Sequence, residues 1–487
     1  MNPRRVFICL FFLITTSISY LYAQPRETGI SLINKEELMK TVNFLASKEL
    51  AGRLPGSIGY NKAADFMKEE LVKINLKPGD GKNYFQKLKV EYNEIFFPEH
   101  FTVIKNQVRT KYEIGKDYAY RGFTGAGKFT AQVAFCGYGL SQPELGYDDY
   151  AGIDVKGKVV MVFKYNPSWN IDGKGFTNGN PREKAIVAAK HGAVGILFTS
   201  FPNDKEPQRP IGSVIHGEGE QIKNFPEIHI DIPVADNLLS GSNFTLKDLQ
   251  TKIDSEKKPY SVQLANQVDL EVNTRYEKEK EVVNVAGILE GSDSKLKNEY
   301  LIMGAHLDHV GEQAGKIFFP GANDNASGSA ALLQIARAFS TLKEGPKRSI
   351  AFVFFASEEQ GLNGSKFFAD NMPFTKENVK AMINMDCVGY GDSIQIGGGE
   401  SAPTLWSIAK QIDKENDNLL VTRTWKGGGA DAEPFFAKGI STLYFVTTNS
   451  YKHLHMLTDT PETLNQKLFE AITRLSFLTA FKIANDK

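Results

Sequence analysis

The sequence predicts an α/β protein with a mixed, mostly parallel sheet flanked by helices, and a smaller α/β unit set into it. Three observations carry this. Short, near-continuous apolar runs at 159–163, 300–305, 349–356, 379–385 and 441–446 fit strands covered on both faces. Helical spacing alternates with them after Val282, above all at 326–342 and 468–483. The middle of the chain has its own alternating elements and apolar runs, enough for a separate core.

The 487 residues suggest two to four domains. With 41% hydrophobic and 23% charged residues the composition is globular, which excludes disorder as the main state. Lys+Arg and Asp+Glu are both 57, so no overall basic field exists and a nucleic-acid partner is not expected. Three Cys exclude a disulfide scaffold and any Cys-rich zinc fold. A metal would have to be held by His and carboxylates.

Read in order, the chain opens with Arg4 and Arg5, a mostly apolar run over 6–18, and Ala23 followed by Gln24. That is the pattern of a signal peptide over 1–23, and it predicts export to the periplasm or beyond the cell. The apolar core is shorter than the roughly 20 residues a membrane span needs, so no stable membrane insertion is expected after cleavage. Cys136 and Cys387 are expected to be buried and reduced. Leu38, Val42 and Leu45, then Ala63, Phe66, Met67 and Leu71, recur at helical spacing around a Gly/Pro-punctuated loop at 51–59. Residues 88–135 alternate like strands, 183–191 is helix-like, and 192–198 and 223–233 are strand-like. The charged run 276–281 reads as a solvated linker. The expected units are 28–115, an insertion over 116–272, and 280–487.

Five polar clusters sit at or near the ends of the apolar strands, where sites form in parallel sheets. They are His306 with Asp308, the Gly-flanked Asp324, the pair Glu358-Glu359, Asp386, and His455. Two His and several carboxylates without Cys suit zinc or another divalent first-row metal. Asp308, two residues from His306, can accept that imidazole's second N–H. Adjacent Glu358 and Glu359 cannot share a face, so one can ligate while the other acts as general base. The ligand count is His306, Asp324, Asp386, Glu359 and His455. If Asp324 bridges, each of two metals receives three protein ligands and keeps an open position.

In this order GAHLDHVG, PGANDNASGSAALL, SIAFVFFASEEQGLNGS, INMDCVG and HLHMLTDTPE resemble the co-catalytic zinc aminopeptidases. That family also contains glutamate carboxypeptidases, glutaminyl cyclases and the inactive transferrin receptor. The segment FLASKELAGRLPGSIGYNKAADFM is similar to the family's N-terminal helical part, and 130–200 looks like a protease-associated domain. The resemblance implies the zinc-exopeptidase fold, with 28–115 and 280–487 as the peptidase domain and 116–272 as the inserted domain. It implies two Zn2+ per chain, with Co2+ or Mn2+ as substitutes, and peptide substrates. Carried over by motif, His306, Asp324 and Asp386 bind one ion, and Asp324, Glu359 and His455 the other. Glu358 becomes the general base and Asp308 the partner of His306. Separately from the motif match, a nearby Tyr such as Tyr451 is an expected helper of the oxyanion. His455 is preferred over His453 because Asp459-Thr460 follows it at the family's spacing. Ala430 and Ala432 depart from the common GGSDHAPF pattern around Asp431. The implied activity is removal of N-terminal residues. A carboxypeptidase or dipeptidase of the same fold, drawing on Arg423 and Lys426 for a terminal carboxylate, is the alternative, followed by a non-catalytic peptide-binding protein. The oligomeric state is not readable.

Overall fold

The apolar run expected at 349–356 forms a fully buried strand, Ser349–Phe355, at the centre of the sheet. Its alternate residues serve two different cores. Ile350, Phe352 and Phe354 face one side, where the main helices lie, and Ala351, Val353 and Phe355 the other. Each large side chain buried this way is worth roughly 1.5–3 kcal/mol, which is why both faces are apolar. The computed structural model describes residues 29–486 apart from positions 178 and 218. The signal segment expected at 1–23 lies outside the described residues.

The principal elements, in chain order, begin with helices α1 (Lys35–Leu45) and α2 (Ile58–Lys73). Strands β1 (Phe85–Lys105), β2 (Tyr118–Tyr120), β3 (Gly127–Cys136) and β4 (Val159–Phe163) follow. Next come α3 (Pro181–Lys190), β5 (Gly195–Thr199), β6 (Glu227–Ile230), α4 (Ile232–Leu239), α5 (Leu246–Glu256) and the long β7 (Ser261–Leu289). The last third holds β8 (Tyr300–His306), α6 (Gly328–Ser340), β9 (Ser349–Phe355), α7 (Asn363–Asp370) and β10 (Val379–Met385). It closes with β11 (Ile394–Gly397), α8 (Pro403–Glu415), α9 (Glu433–Ala437), β12 (Thr442–Thr447) and α10 (Gln466–Asn485).

One 14-stranded sheet runs in the order β11-β12-β10-β8-β9-β7-β3-β4-β5-β6-β2, with β1 paired alongside β7. Strands β12, β10, β8 and β9 are parallel, as are β3, β4, β5 and β6. Between the two parallel blocks β7 runs antiparallel to β9 and β3. Helix α6 is buried nearly all round against β8, α1, α2 and α10, so its sequence GSAALLQIARAF is small or apolar apart from Gln334 and Arg337, the latter paired with Glu70.

The section 116–272 has cores of its own, one around Phe135, Phe163, Leu197 and Leu238, another around Val160, Phe198 and Ala185. Its sheet is nonetheless continuous with the other block, because β1 and β7 run through both. The run 276–281 is therefore no linker. It pairs with 89–93 in the ladder, with Lys89 bridged to Glu279 and Lys87 to Glu281. The strand expected at 223–233 is confined to β6. Asp231 accepts the amide of Ile232 and, with Pro233, starts α4 instead. The helix expected from 326 begins at Gly328, because Asp324 and Asn325 leave the helical conformation. Cys136 and Cys387 are buried and unpaired.

Candidate active site

Strands β12, β10, β8 and β9 lie side by side and end on one edge, so the polar residues after them gather there. His306 closes β8, Asp386 follows β10, Glu358 and Glu359 follow β9, and His455 comes from the loop after β12. Asp324 reaches the same spot from the irregular turn ahead of α6.

The two carboxylate oxygens of Asp324 look in opposite directions. Oδ1 lies 3.3 Å from His306 Nε2, which is also 3.5 Å from Asp386 Oδ1. Oδ2 lies 3.1 Å from His455 Nε2, which is also 2.8 Å from Glu359 Oε2. Donor atoms of His306, Asp324 and Asp386 thus form one group, and those of Asp324, Glu359 and His455 another. Glu358 stands beside the first group, with Oε2 4.0 Å from His306 Nε2. The adjacent Glu side chains diverge because the chain turns sharply at Ser357, whose φ is 56°.

Asp308 has a broader task than the one read from its spacing. Its carboxylate is 3.7 Å from His306 Nδ1, whereas its own carbonyl oxygen is at 3.2 Å. The carboxylate oxygens accept the amides of Glu358 at 3.1 Å and Glu359 at 3.3 Å. Asp308 therefore holds the turn that aims both glutamates.

Several residues given no place in the site from the sequence belong here, and others named there are placed by the fold. Buried Asp459 accepts the amides of Asn323 at 2.8 Å and Asp324 at 3.1 Å, fixing the Asp324 turn. Arg53 is wholly buried and donates to the carbonyls of Leu45, Leu307, Pro320 and Gly321, tying the His306 and Asp324 loops together. His309 enters the group around Glu359 and His455. The signal for it was legible as a second His in GAHLDHVG, three residues after the first. His453 turns away, with Nδ1 2.9 Å from Thr458 Oγ1. Tyr451 is 55% exposed, and its hydroxyl is 3.2 Å from that of Tyr444. Arg423 and Lys426 are exposed. Asp431 is buried, with neither carboxylate oxygen hydrogen-bonded, and burial pushes its pKa up to about 7.

The smaller unit borders the site. The amide of Gly212 donates to the carbonyl of His455 at 2.8 Å, and Val214 packs with Val310 and Phe319. A Cβ on Gly361 would come within 3.5 Å of the His216 ring.

The electrostatics fit a cation site. His306 Nε2 and Asp386 Oδ1 are buried without hydrogen-bond partners and face each other. With no thiolate among them, these imidazole and carboxylate donors suit zinc. Burial pulls the His306 pKa down, but Glu358, Asp386, Asp308 and Asp324 outweigh it and hold it well above the usual value. Burial likewise opposes the charge on His455, yet Glu359 and Asp324 push its pKa up to about 10. Burial drives Glu358 well above the ordinary carboxylate range, with Asp431, Glu359 and Asp386 adding to it against His306. Uptake of a divalent cation must displace the imidazole protons. Zinc binding near neutral pH is expected to release at least one proton per chain, and affinity should fall with falling pH. Calorimetry in buffers of different ionisation enthalpy counts the protons; a count of zero would contradict this assignment.

The two donor groups are ones that could hold divalent cations. Residues 284–480 match the family model described as Peptidase family M28. Among curated proteins, an aminopeptidase of Pseudomonas aeruginosa (strain UCBPP-PA14) is 27% identical over 374 residues, 75% of this chain and 60% of the relative. A probable zinc metalloprotease of Pyrenophora tritici-repentis is 38% identical over 208 residues, 34% of this chain and 46% of the relative. The matches therefore span less than two thirds of these relatives' length. Among solved structures, a peptidase M28 precursor from Shewanella amazonensis SB2B superposes with TM-score 0.66 at 19% identity, over 95% of this chain and 97% of that one. An aminopeptidase from Aneurinibacillus sp. strain AM-1 gives 0.64 at 18%, with the same coverage. These show the shared fold.

Proposed function

We propose that the protein is an exported aminopeptidase that uses two zinc ions to hydrolyse the N-terminal peptide bond. The observation that carries the reading is Asp324, whose two oxygens face two donor groups with Glu358 beside one of them. His306, Asp324 and Asp386 would hold one ion, and Asp324, Glu359 and His455 the other. When bound, such ions lower the pKa of water and polarise a carbonyl. Glu358 accepts the attacking water's proton and returns it to the leaving amine. Asp308 keeps Glu358 and Glu359 aimed, and Tyr451 can donate to the developing oxyanion. The names of the Pseudomonas and Aneurinibacillus relatives favour aminopeptidase action. Exposed Arg423 and Lys426 give no built pocket for a terminal carboxylate. Section 116–272 is read as a protease-associated insertion, supported by its own cores and its contact with the His455 loop. Export rests on the pattern of Arg4, Arg5 and the apolar run after them. Among the described residues no helix is long and apolar enough to cross a membrane.

The test is a panel of aminoacyl-chromophore substrates and peptides, each with a free and a blocked N-terminus, with and without chelator. Cleavage confined to free amines and abolished by chelator is expected. Cleavage of blocked peptides alone would replace this reading with a carboxypeptidase.

A further inference from the structure

His309 has no part in the reading above, yet it is among the most tightly placed residues of the site. It is fully buried, and its Nδ1 lies 2.9 Å from Glu359 Oε1 and 3.6 Å from Asp324 Oδ2. These are the two carboxylates that His455 Nε2 approaches from the other side. The imidazole rings meet edge to face, with centroids 5.4 Å apart.

The surroundings fix this pose. The backbone amide of His309 donates to the carbonyl of Arg53 at 3.2 Å. The ring rests over Gly321, where a Cβ would come within 2.5 Å of Cγ and Cδ2. Buried polar side-chain atoms usually have at least one hydrogen-bond partner. Here Nε2 is buried without a partner, and Nδ1 is turned to carboxylates that already face another imidazole.

Resting on the two-metal reading, we propose that His309 is a fourth protein ligand of the ion between Glu359 and His455. The two half-sites are then unequal. His309, Asp324, Glu359 and His455 supply four donors to one ion, while His306, Asp324 and Asp386 supply three to the other. Four protein donors close a zinc shell as in structural sites, and three leave the open position of a catalytic one. The ion on the His309 side is held long. The ion on the His306 side exchanges readily and keeps its open position next to Glu358.

The mature full-length chain tests this without turnover. One equivalent of Cu2+ should occupy the four-donor half-site, and pulsed electron paramagnetic resonance should count two coordinated imidazoles. One imidazole would overturn the proposal, and this readout needs no variant. With two zinc ions bound, a chromophoric chelator should withdraw them in two phases, and His309→Ala should speed the slow phase by more than about 100-fold. Loss of a residue that only hydrogen-bonds a ligand typically costs 10–100-fold, so an effect within or below that range would overturn ligation by His309. Equal release of both ions from the unmodified protein would also overturn it. Fewer than two zinc ions per unmodified chain at saturation would defeat the two-metal reading itself, and the inference with it.

Discussion

Glu358→Gln is expected to lower kcat by about 10²–10⁴-fold, the usual contribution of a positioned general base, with little change in zinc content. The amide keeps the shape of the carboxylate but cannot take a proton. Glu358 lies outside both donor groups, so the ions should stay. Its backbone amide, which anchors the turn to Asp308, is untouched by the exchange. Burial raises its proton affinity, which suits a group that takes a proton from water near neutral pH. Steady-state kinetics beside metal analysis decides the matter. A kcat close to the unmodified value would remove Glu358 from the base role, and loss of an ion would make it a ligand instead.

Arg53→Met should cost more than about 4 kcal/mol of folding stability. The interior carbonyls of Leu45, Leu307 and Pro320 lose their donor, while that of Gly321 keeps the Ala326 amide, and each buried unsatisfied acceptor costs about 1–3 kcal/mol. That is a large part of the roughly 5–15 kcal/mol that holds a domain together. Burial lowers the Arg53 pKa to about 10, opposed by Asp324, Asp459, Asp308 and Glu359, so the guanidinium also offsets the site's negative charge. Arg53→Lys should rescue little, because one ammonium cannot span four carbonyls held by a rigid fork. Urea unfolding with and without zinc reads the effect. A loss below about 1 kcal/mol would show that the loops around His306 and Asp324 hold themselves.

What could be read in the sequence follows from what each residue meets. The run SIAFVFF announces a central strand because both its faces are covered, so every position is apolar. His306, Glu358, Glu359 and Asp386 stand out because they interrupt such runs where a parallel sheet opens its strand ends. Arg53 and Asp459 gave no such signal. Each lies in a loop far along the chain from the turn it secures, and only the fold brings them together. The charged run 276–281 misled for a different reason. There the β7 side of the ladder is partly or fully exposed, so the apolar alternation that marks a strand is missing from it and cross-strand ion pairs replace it.

The length of β1 and β7 limits how this architecture can be rearranged. Leu88, Val90, Val282 and Val285 sit in the core of one block, while Phe101, Val103, Val268 and Leu270 on the same two strands sit in the core of the other. Excising 116–272 would cut β7 in two and strip the partner from the far end of β1. The exposed ladder would then be open to pairing with other chains. The smaller unit is thus no cassette that can be dropped or exchanged at a hinge. It is built into the same hydrogen-bonded ladder as the strands that carry His306 and Glu358, and variation in length has to fall in the turns between strands.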